Sequence, residues 1–191
     1  MKKIILSLFI ITSLVSCNHD DIILNDNEAL PVAKEQKNIN KNFLKFDAPR
    51  IVKRYFSSQK KKHYYGVDTK PIGSEPNQFQ WVLEGDSFNL YPNYNNGGPA
   101  VYSLVNPNSS NLDNLLTTNA DEIQNAKNQG YIVTEILGYA SPQGQPNTFP
   151  VYRYYNPSKN DHFYTADWNE LGSGSQGYNY EGIAFNLPTF W

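Results

Sequence analysis

The stretch RYFSSQKKKHYY at residues 54–65 returns without a gap as RYYNPSKNDHFY at residues 153–164, and this recurrence limits the fold more than any other feature of the chain. Arg54 falls on Arg153, Tyr55 on Tyr154, Lys60 on Lys159, His63 on His162 and Tyr65 on Tyr164. A third copy lies between them. AVYSLVNPNSS at 100–110 matches PVYRYYNPSKN at 150–160, and Asp113-Asn114-Leu115-Leu116-Thr117 then stands for Asp161-His162-Phe163-Tyr164-Thr165. The copies end alike, EGDSFNL at 84–90 against EGIAFNL at 181–187, with GYIVTEILGY at 130–139 as a slightly longer middle version. Three units follow, at about 48–94, 98–144 and 149–191, separated by the turn-forming joints NNGGP at 95–99 and SPQGQP at 141–146. Such a unit cannot bury both faces of its own strands, so like units must pack on one another.

Within a unit the order is readable. Val151 to Tyr155 has the β-branched and aromatic content of a strand, Asn156-Pro157-Ser158 turns it, and His162 to Thr165 returns as a hairpin partner. A connection of variable length follows. In the second unit it reads as a helix, with Asn119 as N-cap, Glu122 at the reciprocal capping position and Gly130 as stop. Asp167 and Glu170 repeat that spacing in the third unit, where Gly172 and Gly174 hold the helix to about one turn, and the prolines of the first unit leave no helix there. A last strand, Tyr178 to Leu187, closes the unit. The expected fold is all-β with short helices: three pseudo-symmetric repeats in a trefoil-like, closed β architecture around a shared aromatic core.

The N-terminal MKKIILSLFIITSLVSC has two lysines, a short apolar run and a single cysteine, which is the layout of a signal peptide over residues 1–16. Leu14-Val15-Ser16-Cys17 resembles a bacterial lipobox, which implies that Cys17 is acylated and anchors the protein to a membrane. Residues 17–47, rich in Asn, Lys, Asp and Glu, bury little and read as a flexible tether. The acidic pair Asp20-Asp21 just after the cysteine resembles the surface-export signals of Gram-negative outer-membrane lipoproteins, although a plain acidic tether gives the same residues. The expected location is the outer membrane, lipid-anchored, on the cell surface, with the periplasmic face as the alternative. Loss of residues 1–16 leaves 14 basic and 18 acidic side chains. That balance lacks the basic footprint of a nucleic-acid binder, and Lys60-Lys61-Lys62 reads as a solvated loop.

Catalytic signatures were sought among the repeated polar residues. His63 and His162 occupy matching positions that the second unit fills with Asn114, which shares only hydrogen bonding with them, so a repeated structural bond is expected rather than acid–base work. Glu84, Glu135 and Glu181 recur once per unit and read as acceptors for local backbone or for Arg and Tyr. Nothing follows the pattern of a zinc-protease helix, a nucleophile elbow or a phosphate loop, and lipidation of Cys17 would remove the only thiol. The expectation is therefore no enzyme, no catalytic residue, no metal and no cofactor. The 14 Tyr, 10 Phe and 3 Trp can fill a core, or present rings to sugar faces beside amides and carboxylates. On the second view the candidate binding residues are Tyr152, Arg153, Tyr154, Asn156, Asp161, His162, Tyr164, Tyr180 and Glu181, with Arg54, Tyr55, His63, Tyr65 and Glu84 as their counterparts in the first unit.

YRYYNP, DHFYTAD and GYNYEGIAFNLP in residues 152–188 resemble a tandem-repeat domain of unknown function found in secreted bacterial proteins, often appended to hydrolases and other extracellular enzymes. The resemblance implies an accessory domain of pseudo-threefold architecture and carries over no catalytic residue. The second unit departs from the pattern by lacking the His, and the first by lacking the Asn-Pro. Two functions fit: a binding module for an extracellular glycan or protein, or an interaction subunit of an envelope complex with no small ligand.

Overall fold

A computed structural model describes residues 48–108 and 110–189, so Cys17, the signal segment and the tether lie outside the described residues. Each unit begins with a hairpin: β1 (Arg50–Ser57) with β2 (Lys62–Gly66), β4 (Ala100–Asn106) with β5 (Asp113–Thr117), and β7 (Phe149–Asn156) with β8 (Asp161–Thr165). A long third strand then pairs with the first: β3 (Trp81–Leu90), β6 (Ile132–Tyr139) and β9 (Asn179–Leu187). The result is three antiparallel sheets in the same order, second–first–third strand. Each carries two register shifts at matching places, after Val52 and Arg54, after Val101 and Ser103, and after Val151 and Arg153. Such bulges bend and twist the long strand.

The hairpin turn has a physical cause in its last strand residue. Asn156 Oδ1 accepts from the Ser158 and Lys159 amides, Asn106 Oδ1 accepts from the Asn108 amide, and Ser57 Oγ accepts from the Lys60 amide. The serine thus substitutes for the asparagine that the first unit lacks.

The helix expected from Asn119 is α1 (Ala120–Asn128), where Asn119 Oδ1 accepts from the Asp121 and Glu122 amides. The reciprocal half of that cap is absent. Glu122 turns instead to Arg153, and the Asn119 amide donates to Thr117 Oγ1. In the third unit Asp167 caps a single 3-10 turn, Trp168–Glu170, in the same way.

The expected closure into a barrel does not occur among the described residues. The three ladders stay separate, apart from one isolated bridge between Tyr91 and Tyr139. Side chains intervene where a barrel would have a ladder. The short inner strands β2, β5 and β8 pack on one another, and tyrosine hydroxyls fill the gaps between their backbones. Tyr65 Oη donates to the Tyr164 carbonyl at 2.9 Å and accepts from the Tyr164 amide at 2.8 Å. Tyr164 Oη repeats this on Leu116, at 3.2 and 2.8 Å. The second sheet has Leu116 at the matching place, so Asn114 Oδ1 accepts from the Tyr65 amide at 2.7 Å and closes the ring. The core around this ring takes one valine per first strand (Val52, Val101, Val151), Tyr65, Leu116 and Tyr164, and apolar pairs from the third strands such as Phe88 with Leu90 and Phe185 with Leu187.

Phe163 does not face the shared core. It is buried with Tyr154, Leu171 and Tyr178 in a peripheral cluster, while its neighbour Tyr164 faces the shared core. Both faces of β8 are covered because it is an inner strand.

Candidate functional site at the seams between sheets

The first residue of β8, Asp161, is fully buried, and its carboxylate reaches across to the first sheet. It accepts from the His63 amide at 2.7 Å and bonds His63 Nδ1 at 2.7 Å. Asp113, the first residue of β5, does the same for the third sheet, with the His162 amide at 2.9 Å and Nδ1 at 2.6 Å. A tyrosine from the carboxylate's own unit completes each site, Tyr178 on Asp161 at 2.5 Å and Tyr131 on Asp113 at 2.6 Å. Burial alone would raise the Asp113 carboxyl, but the bonds from His162 and Tyr131 hold it below the usual range. Burial, then Asp113, pushes the Tyr131 hydroxyl well up, and Asp161 acts likewise on Tyr178.

In the first unit both partners change together. Lys62 stands at the aspartate position and Trp81 at the tyrosine position, with the indole donating to the Ile72 carbonyl. Lys62 is buried, not the solvated loop residue its sequence suggests. Its ammonium donates to the Lys159 and Asn160 carbonyls, because a backbone turn of the third unit lies over it. Desolvation lowers its pKa, opposed by Asp113 and Asp161.

Outside each histidine lies an ion pair that also crosses the seam. Arg54 binds Glu84 of its own unit at 2.8 Å and Glu170 of the third unit at 2.9 Å, while Arg153 binds Glu181 at 2.9 Å and Glu122 of the second unit at 2.9 Å. The histidine Nε2 atoms face the same glutamates at 3.9 and 3.8 Å. Glu135 does not occupy the matching place. A register step puts it opposite Ser103, where Gly85 and Gly182 face the arginines, and its carboxylate takes the Val67 and Asp68 amides instead.

The candidate residues thus divide by their place in the fold. Arg153, Asp161, His162 and Glu181 take part in the seams, as do Arg54, His63 and Glu84, while Tyr65 and Tyr164 line the central ring. Tyr154 is buried with its hydroxyl on the Gly172 carbonyl, Asn156 clamps its turn, and Tyr55 lies half-buried beside Tyr64. Only Tyr152 and Tyr180 face outward together. Trp168, which sequence reasoning did not single out, stands beside them with ring centres 4.9 and 5.3 Å away. A half-open cavity of about 140 Å³ is lined by Arg54, Glu84, Asp86, Ser87 and Glu170 among others, with Glu170 on the same short turn as Trp168. Among the described residues no three His, Cys, Asp or Glu side chains converge as metal ligands.

His162→Asn is expected to cost on the order of 1 kcal/mol, since the amide can still donate to Asp113 and Asn114 already serves at that position in the second unit. Phe163→Ala should cost about 3–5 kcal/mol by leaving a cavity under β8. Denaturant melts of the two variants rank them, and a reversed order would make the histidine more than a structural bond.

Three like antiparallel sheets joined by side chains rather than by ladders make this an all-β domain with one short helix. The chain belongs to the family described as Domain of unknown function (DUF5648), which it matches over residues 51–187. No curated protein and no solved structure matches it.

Proposed function

We propose that this protein is a non-catalytic binding module, anchored by a lipid on Cys17 and displayed on the outer-membrane surface, that holds an extracellular glycan. One contrast carries the reading. His63, His162, Asp113, Asp161, Arg54, Arg153, Glu84 and Glu181 are bonded to one another inside the seams, whereas Trp168 and Tyr180 are 40% and 38% exposed. The polar groups hold the sheets together, and rings are what remains to meet a ligand. The three units form pseudo-symmetric repeats in a trefoil-like arrangement, which the cyclic order of the seams supports. A glycan array probed with the purified protein tests the function: sugar-specific signal is expected, and its absence would overturn the glycan reading.

A second reading has its own support. Among the described residues the third strands are in ladders on one side only, apart from the Tyr91–Tyr139 bridge, and they expose Val82, Leu83, Ile132 and Val133, which suits an interaction subunit docking with an envelope protein. A stoichiometric partner co-purifying from membranes, with a silent array, would favour it.

Among the described residues no helix is long and apolar enough to cross a membrane. Cys17→Ser is accordingly expected to release the protein into the soluble fraction, because the acyl chains are its strong apolar attachment. Membrane retention of the variant would refute the lipoprotein assignment. Protease shaving of intact cells separates the surface from the periplasmic face.

A further inference from the structure

The connection after the inner strand covers different amounts of the second and third sheets. In the second, the nine residues of α1 lay Ile123 and Ala126 over Leu104 and Tyr102. In the third, the matching connection makes one 3-10 turn and then runs through Gly172 and Gly174, both at positive φ. Only Trp168 stands where the helix would be, so the face built from Tyr152 and Tyr180 stays partly open. The rings hold one another at steep angles, 64° for Tyr152 with Trp168 and 90° for Trp168 with Tyr180. They are thereby fixed before any ligand arrives, which lowers the ordering cost of binding. The Tyr152 and Tyr180 hydroxyls make no hydrogen bond among the described residues.

The same short turn carries Glu170 into the half-open cavity at the seam with the first sheet. The Arg54 guanidinium there is already committed, Nε to Glu84 and both terminal nitrogens to Glu170. What the cavity offers a ligand is therefore acceptors: one guanidinium stands against the three carboxylates of Glu84, Asp86 and Glu170, with Ser87 beside them.

Resting on the glycan reading above, we infer that the Tyr152–Trp168–Tyr180 face and the adjoining cavity form one saccharide site, selective for amino-bearing and neutral sugars over acidic ones. The ring faces meet the C–H faces of a pyranose, and the carboxylates accept its hydroxyls or attract an ammonium group. A sugar carboxylate would meet like charge, which penalises the wrong ligand as strongly as the contacts favour the right one.

The test is calorimetric titration of the full chain with three oligosaccharides of equal length: a glucosamine oligomer, an N-acetylglucosamine oligomer and a galacturonate oligomer. Affinity is expected to fall in that order, with no heat from the galacturonate. Trp168→Ala should weaken both productive ligands about tenfold or more, while Tyr94→Ala, an exposed ring on the joint after the first unit, should leave them unchanged. Asp86→Asn should narrow the preference for glucosamine over its acetylated form by about 3- to 10-fold, weakening the cationic ligand more than the neutral one. Unchanged melting curves establish that each variant is folded. Galacturonate binding as well as glucosamine, or Trp168→Ala binding like the parent, would overturn the inference. Silence toward all three oligomers would overturn it too, while array signal from another sugar would leave the binding-module reading standing.

Discussion

Tyr164→Ala is expected to destabilise the protein by about 5 kcal/mol or to prevent folding altogether, the largest loss from any single substitution considered. Removing a buried aromatic side chain costs about 3–5 kcal/mol through lost transfer energy and the cavity left behind. Tyr164 is fully buried in the core that all three sheets share, so no surface side chain can relax into the gap. Its hydroxyl also accepts from the Leu116 amide and donates to the Leu116 carbonyl. Those groups would be left in an apolar interior, at about 1–3 kcal/mol each. Tyr164→Phe separates the two contributions: it keeps the volume, strands the Leu116 amide, and should cost about 2 kcal/mol. Urea melts of the pair should show the alanine variant losing at least twice as much as the phenylalanine variant. Equal losses would mean that the hydroxyl bridge, and not packing, holds the inner strands together.

Asp113→Ala should cost about 3–5 kcal/mol, because one buried carboxylate serves the His162 amide, the His162 ring and the Tyr131 hydroxyl. Asp113→Asn should cost less, since an amide oxygen still accepts from the His162 amide. The pH dependence has a definite sign. The folded carboxyl titrates below its unfolded value of about 3.9, so between those two values the folded state binds fewer protons than the unfolded one. Stability from Asp113 is therefore complete above about pH 4 and is lost as the pH falls through the lower folded value. Acid unfolding followed by circular dichroism should show a shallower decline below pH 4 for Asp113→Asn than for the parent. Parallel acid curves for the two proteins would show that Asp113 is not linked to the seam.

The β class of the fold and the order of strands and turns could be read from residues because their causes are local. Asn156 clamps the turn that follows it, and Asn119 caps the helix that follows it; in both cases the partner lies within three residues. Alternating apolar positions likewise mark the strands whatever they later pack against. The histidines could be recognised as repeated hydrogen-bonding groups, but not with whom they bond. His63 meets Asp161 across 98 residues of chain, and Arg54 meets Glu170 across 116. No spacing rule connects residues whose separation is set by how whole sheets dock.

Glu135 shows how one inserted residue defeats alignment by eye. A bulge moves its side chain to the glycine position, where it serves a neighbouring backbone instead of an arginine. Lys62 shows that charge does not predict exposure, since its burial depends on a turn of the third unit lying over it. Trp168 became a candidate only when the shortness of its turn left two tyrosines beside it partly uncovered. By itself the sequence determined which strands form, in what order, and where they turn. Tertiary structure alone decided that the sheets join through side chains without closing a barrel, and which aromatics face water. The reason is physical: hydrogen bonds within a turn are decided by neighbouring residues, while burial is a property of a surface that exists only after the units have packed.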